Sequence, residues 1–343
     1  MEVASSSNLQ PATSQFLPRP SYELAHCIVC GHADTETVAD DEAMQRERET
    51  LWAYHQRRLR AETPPPRLID RVAFSEHPPL RLVRCRECGL VYRNPVERPR
   101  DLAELYEDAP SPEVLRTLHE SQRPAMRTQV RAVRAAARRG RGLEIGSYAG
   151  AFLGAARDEG LAFEGLDINP QVNAFVRSLG FTVHDGELSS FDAGGDFAVV
   201  AIWNVFDQLA DPRGTLADVR RVLAPEGQLA IRVPNGGFYE TWRRRLALGG
   251  PVWRSIARSL LAQNNLLTFP YRWGFTPSSL VRLLTSCGFD TVAVRGDTLV
   301  RTADDWTRRW ARVEEMLIKG LSAGPARLAT RWAPWFEVYA RRG

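Results

Sequence analysis

The chain has 343 residues, 44% apolar and 25% charged, the composition of an ordinary globular protein with room for one large domain and a smaller one. Its net charge of +4 is carried almost entirely by arginine, with Lys319 the lone lysine and acids interspersed, which argues against the clustered basic face of a nucleic-acid binder. No apolar run reaches the length of a membrane span. The opening "MEVASSSNLQPATSQFLPRP" lacks the positive start and apolar core of a secretory leader, so a disordered tail over residues 1–20, a cytoplasmic location and no membrane partner are expected.

Residues 21–100 hold four of the five cysteines. Cys27-Ile-Val-Cys30-Gly31 and Cys85-Arg-Glu-Cys88-Gly89 share one pattern, a CxxC followed by glycine. Such a turn aims two thiolates at one point, and the glycine relieves the backbone after the second ligand. Two of them make a four-thiolate tetrahedral site with no place left for water, so the metal is read as structural zinc. The 54 residues between the turns cost about 3–4 kcal/mol to close, against roughly 10–16 kcal/mol released by zinc at comparable sites. Disulfides are disfavoured in a cytoplasmic chain, and a redox pair lacks its strand–helix setting. His26 and His32 flank the first turn as alternative ligands, and Cys287 reads as a core residue. Between the turns, "ETVADDEAMQRERETLWAYHQRRLRAE" reads as helical and ends at "TPPP", and "DRVAFSEHPPLRLVRC" reads as two short strands. Residues 101–140 read as a helical linker or cap.

From Leu143 strands and helices alternate. Strands are expected at "GLEIG", "FEGLDI", "FTVHD", "FAVVAIW", "GQLAIRVP", "DTVAVRG" and "WFEVYARR", with helices such as "AGAFLGAARDEG", whose Phe152, Leu153 and Ala156 share a face and whose Gly160 is a stop. This pattern predicts an α/β fold over 141–343, a mostly parallel seven-stranded Rossmann-like sheet with helices on both faces. Residues 236–274 interrupt the alternation, helical at first and aromatic later.

The turn after the first of these strands is "LEIGSYAGAFL", Leu143 to Leu153. A dinucleotide fingerprint needs glycine at its first and third positions, and here Gly146 is followed at the third by Tyr148, which blocks close approach of a pyrophosphate. No Walker loop follows either. Glu144-x-Gly146-x-x-x-Gly150 resembles the first motif of class I S-adenosylmethionine-dependent methyltransferases. In that family the ligand brings an ammonium and a sulfonium but no phosphate. Asp167 follows Gly150 by 17 residues at the end of "FEGLDINP". "LAPEGQLAIRVPN" is similar to the family's turn before the fifth strand, with Glu226 replacing a glycine. "GFTPSSLVRLLTSCGFDTVAV" is similar to its later helix and sixth strand, and "PWFEVYARR" to its antiparallel last strand. A four-cysteine module ahead of such a domain is itself a recurring arrangement among enzymes that methylate sugars and other small metabolites.

The resemblance implies S-adenosylmethionine as cofactor, held by Glu144, Gly146, Ser147, Tyr148, Gly150, Asp167, Ile168, Asp185, Gly186 and Asn204. Asp167 is placed on the ribose hydroxyls. Asp185 is placed on the adenine, with an ordinary turn aspartate as its alternative. The acceptor is expected to be a small molecule, plausibly the hydroxyl of a sugar or secondary metabolite, with 236–274 on the substrate side. Many relatives carry a histidine where this chain has Gln208, which is no base at neutral pH; Asp207, His184, Tyr239 and Tyr271 stand as alternatives and none is assigned. Asn264 and Asn265 are weak candidates for acceptor hydroxyls. Two other readings remain open, a zinc-ribbon protein that binds or modifies nucleic acid and a cofactor-binding protein without activity.

Overall fold

The computed structural model describes residues 22–63, 81–98, 109–192, 194–264, 266, 272–298 and 305–343. The N-terminal part comprises β1 (Tyr22–Glu23), β2 (Thr35–Ala39), α1 (Asp41–Arg58), β3 (Leu82–Cys85), β4 (Val91–Arg93) and β5 (Val96–Glu97). The stretch read as helical from Glu36 onward is instead a strand as far as Ala39. Thr35 and Thr37 are β-branched and pair with β3, Val38 sits at a register shift before Ala39 pairs with Leu82, and the helix begins only where the Asp40 carboxylate accepts from the Ala43 N–H at 2.8 Å. That helix also stops before "TPPP", at Arg58, because Leu59 leaves it to bridge Thr307. The first of the two strands expected in "DRVAFSEHPPLRLVRC" lies outside the described residues.

α2 (Pro112–Gln122) and α3 (Arg127–Ala137) lead into β6 (Gly142–Ile145), α4 (Ala151–Asp158), β7 (Phe163–Asp167), α5 (Pro170–Ser178), β8 (Val183–Asp185) and β9 (Phe197–Trp203). Then come α6 (Pro212–Val222), β10 (Leu223–Pro234), α7 (Gly236–Leu248), α8 (Pro251–Gln263), β11 (Trp273–Gly274), α9 (Pro277–Ser286), β12 (Phe289–Asp297), α10 (Arg309–Leu328) and β13 (Trp335–Arg342). All seven expected strands join one sheet in the order β12-β13-β10-β9-β6-β7-β8, parallel except for β13. β9 is buried along its whole length, as a central strand covered on both faces must be.

One face packs Val199, Ala201 and Ala230 under α2 to α5. The other packs Val200, Ile231 and Phe336 under α6 and α9, and there the core runs on into Cys27, Val83, Leu90 and Tyr92 of the N-terminal part. β11 explains the continuity. It comes from the segment that interrupts the large fold, yet it pairs with β4 as the fourth strand of the small sheet. Trp273 anchors it, its ring tilted against Tyr92 at 5.6 Å and its indole N–H donating to the Leu209 carbonyl at 2.8 Å.

Candidate active site

The chain leaves β6 through a turn that only a few residue types tolerate. Gly146, Tyr148 and Gly150 all have positive φ, at 72°, 41° and 70°. A Cβ on Gly146 would stand 2.5 Å from Val205 Cγ2, so this position is held to glycine by both conformation and space. The turn is tied to the next strand: Gly146 N–H donates to the Leu166 carbonyl at 2.8 Å, and Tyr148 N–H to Asp167 Oδ2 at 3.0 Å. The other Asp167 oxygen accepts from Asn169 N–H at 3.1 Å. Burial raises the Asp167 carboxyl above its ordinary range although these N–H groups oppose the shift. Beneath the turn, Glu144 is buried with Oε2 lacking a partner, as is the Ser147 hydroxyl. Desolvation, and then the nearby Asp167, push Glu144 well up. Ile168 is an exposed apolar residue beside Asp167. Bare backbone, an unpaired carboxylate oxygen and an unpaired hydroxyl suit a ligand that brings its own N–H or O–H donors and positive charge.

β7 and β8 align Asp167 with Asp185, and Gly186 N–H donates to the Asp167 carbonyl at 3.0 Å. Asp185 is half exposed; Asn173 donates to one oxygen and Arg177 to the other, both at 2.7 Å, and these bonds lower its pKa. At the end of β9, Asn204 is held at a φ of 61°, a second strained non-glycine residue at this edge. The predicted cofactor residues therefore gather along the carboxyl ends of β6, β7, β8 and β9. The strand order reverses between β6 and β9, where open α/β sheets bind ligands.

Asn204 also opens onto the other half of that edge. Its side-chain oxygen accepts from Arg232 at 3.3 Å, and Arg232, fully buried on β10, forms an ion pair with Asp297 at 2.6 Å. Both line a cavity of about 690 Å³ whose walls also include Gln129 of α3, Glu337 of β13 and Met316 and Lys319 of α10. Gln129 donates to Glu337 at 2.6 Å, and the Tyr339 hydroxyl to its other oxygen at 2.5 Å. Burial, and then the neighbouring Asp297, raise the Glu337 carboxyl. Gln129 Oε1 and Arg232 Nε are buried without partners.

Residues 117–294, just over half of the chain, match the family model described as a methyltransferase domain. The chain belongs to this family; it is a methyltransferase of the S-adenosylmethionine-dependent class. Solved structures similar to the methyltransferase include an S-adenosylmethionine-dependent enzyme from Archaeoglobus fulgidus, at 17% identity over 66% of this chain and 97% of that one, TM-score 0.42. CcbJ from Streptomyces caelestis aligns at 16% identity over 71% and 96%, TM-score 0.43, and the glycopeptide N-methyltransferase MtfA at 18% over 64% and 90%, TM-score 0.40. A search of curated proteins gives no match.

The methyltransferase's four paired cysteines come together, their sulfurs all within 4.8 Å of one another. A zinc tetrahedron with bonds of about 2.3 Å has sulfurs about 3.8 Å apart, and the sulfurs of Cys27 and Cys88 lie 3.3 Å apart, those of Cys30 and Cys85 3.4 Å. Both turns close identically. Gly31 N–H reaches the Cys27 carbonyl at 2.7 Å and Gly89 N–H the Cys85 carbonyl at 2.9 Å, with φ of 79° and 75° at the two glycines. Burial pushes the Cys88 thiol up to about 11 and Cys27 higher still, whereas at Cys85 burial is outweighed by hydrogen bonds from the Cys88 backbone and from Cys30, which lower it. The cluster is compatible with structural zinc, and neither His26 nor His32 belongs to it. Cys287 caps the end of α9, partly buried against the core.

Of the alternative bases, His184 bonds Glu164 at 2.8 Å and Tyr239 donates to buried Glu47 at 3.0 Å. Gln208 donates to the Asn204 carbonyl at 2.7 Å. Asp207 is 1% exposed with both oxygens unpartnered, and burial raises it to about 7. Asn264 donates to the Leu260 carbonyl at 2.9 Å; Asn265 and Tyr271 lie outside the described residues. Sequence reasoning missed Gln129, Arg232, Asp297 and Glu337. One signal was present: Arg232 and Glu337 are lone charges inside the apolar strands "QLAIRVP" and "WFEVY", on the face where their neighbours are core.

Proposed function

We propose that the protein methylates a hydroxyl of a small polar molecule, of the sugar or secondary-metabolite class, with donor and acceptor bound on the two halves of the sheet's carboxyl edge. When bound, S-adenosylmethionine supplies an electrophilic methyl on a sulfonium. In this reading the bare backbone of Gly146 and Gly150 accepts the ligand's approach. Glu144 and Ser147 take its amino-acid end, Asp167 the ribose, and Ile168, Asp185 and Gly186 the base. Asp167 does two jobs, because the oxygen that holds Tyr148 N–H keeps a lone pair to offer.

The acceptor is assigned to the cavity beyond Asn204. Its volume suits a small molecule, and one observation carries the class: its lining leaves one buried acceptor, Gln129 Oε1, and one buried donor, Arg232 Nε, unpaired. A hydroxyl both donates and accepts, so a hydroxyl-rich ligand satisfies both. Glu337 is the proposed proton acceptor, since its raised carboxyl sits in the same lining. Catalysis would otherwise be positioning.

Methyl transfer from radiolabelled S-adenosylmethionine to a panel of sugars and polyols tests this. The wild type should label a hydroxyl acceptor, with kcat rising with pH through a midpoint above that of an ordinary glutamate. Glu337→Gln should lose that limb while binding the cofactor normally. Labelling of amine acceptors alone, or an unchanged pH profile in the variant, would overturn the assignment.

A further inference from the structure

α10 is amphipathic the wrong way round. The charged side chains of its middle turns face inward: Glu315 and Lys319 are buried and paired at 2.6 Å, and Glu314 is paired with buried Arg58 of α1. Its solvent side is apolar, with Val313, Leu317, Leu321 and Leu328 exposed by 50%, 58%, 77% and 87% and Trp310 at the N-terminal end of the same side. A surface helix in water shows the opposite pattern. α8, which packs beside α10, adds exposed Val252, Trp253 and Ile256.

Among the described residues, the charges that frame this surface are mostly arginines. Residues 241–263 contain five arginines and no acid, and Arg245, Arg254 and Arg258 among them are exposed. Arg308 and Arg309 stand exposed at the start of α10, where no acid or side-chain cap offsets them against the helix dipole. Asp305, an exposed acid nearby, is paired with Arg312 at 3.4 Å.

We propose that the α8–α10 face docks on an anionic lipid bilayer, its leucines and tryptophans entering the headgroup boundary and its arginines meeting lipid phosphates. A second copy of the chain fits less well, because a two-fold contact through this face would set arginine against arginine. Docking here requires no spanning helix, and among the described residues none is long and apolar enough to span. The absence of a spanning run in the sequence led to the expectation of no membrane partner, which a surface contact of this kind would correct. The same helix walls the cavity through Met316 and Lys319, so a docked enzyme would hold that cavity beside the lipid surface.

Co-sedimentation of the full chain with lipid vesicles tests the proposal. The wild type should pellet with phosphatidylcholine–phosphatidylglycerol vesicles and bind pure phosphatidylcholine about tenfold more weakly. Leu317→Glu with Leu321→Glu should lose binding at least about tenfold with thermal melting unchanged, since both side chains already face solvent. Arg254→Ala with Arg258→Ala should lose only the preference for the anionic vesicles. No pelleting by the wild type, equal pelleting by the leucine variant, or a dimer in light scattering that the leucine variant abolishes would each overturn it.

Discussion

Along the carboxyl edge of the sheet, the β6–β8 half and the β10–β13 half are made of different material. The first is a backbone site: three left-handed positions within five residues of one turn, with one carboxylate bracing them. The second is a side-chain site: Gln129, Arg232, Asp297 and Glu337 come from four elements spread over more than 200 residues and meet only when the sheet closes. Contiguous backbone chemistry leaves a readable motif, and dispersed side-chain chemistry does not. Asn204 and Arg232 are the joint between them, and the cysteine module braces the second half through β11.

The largest expected effect tests that brace. Cys85→Ser should abolish metal binding and with it soluble folding, because zinc at such sites supplies roughly 10–16 kcal/mol. Metal analysis and circular dichroism would check this; a folded, metal-free variant would make the module dispensable and separate it from the comparison. Next is Gly146→Val, which combines a positive φ with a Cβ at 2.5 Å from Val205. Cofactor binding should fall below detection by calorimetry, and near-normal binding would mean that the turn is not the cradle.

A smaller effect separates the halves. Gln129→Met should raise the acceptor KM about tenfold, roughly 1.4 kcal/mol, and leave the S-adenosylmethionine Kd unchanged. A change in both would mean that the two sites are one.

A further expected effect concerns stability. Asp207 titrates near 7 in the folded protein and near 3.9 unfolded, so its cost to the fold is absent below about pH 4, grows as pH rises, and is complete above about 7, at no more than about 4 kcal/mol. Asp207→Asn should therefore raise Tm by several degrees at pH 8 and by less at pH 5.5, followed by calorimetric melting. A variant that melts lower at pH 8 would show that the carboxylate has a partner that stabilises it.

The sequence was legible where physics acts locally. The unbroken apolar run "FAVVAIW", rich in β-branched residues, reads as a strand covered on both faces, and Gly31 and Gly89 announced the thiolate turns. It was less legible where a distant partner decides. Glu36–Ala39 became a strand because β3 pairs with it, and α1 ended at Arg58 because Leu59 bridges a residue nearly 250 positions away. The Gln208 substitution was visible, but its bond to the Asn204 carbonyl was not, since that depends on the turn Asn204 makes. Glu337 was hidden for the same reason: nothing near it in sequence names Gln129 or Asp297.

The most direct test of the account is a calorimetric titration of wild type and Asp167→Ala with S-adenosylmethionine, with NAD as control. The carboxylate that braces Tyr148 N–H is here also the ribose partner. The wild type should therefore bind S-adenosylmethionine and not NAD, and the variant should bind about 100-fold more weakly, roughly 2.7 kcal/mol, with its fold intact. Equal affinity in the variant, or binding of NAD by the wild type, would contradict the site proposed at this edge.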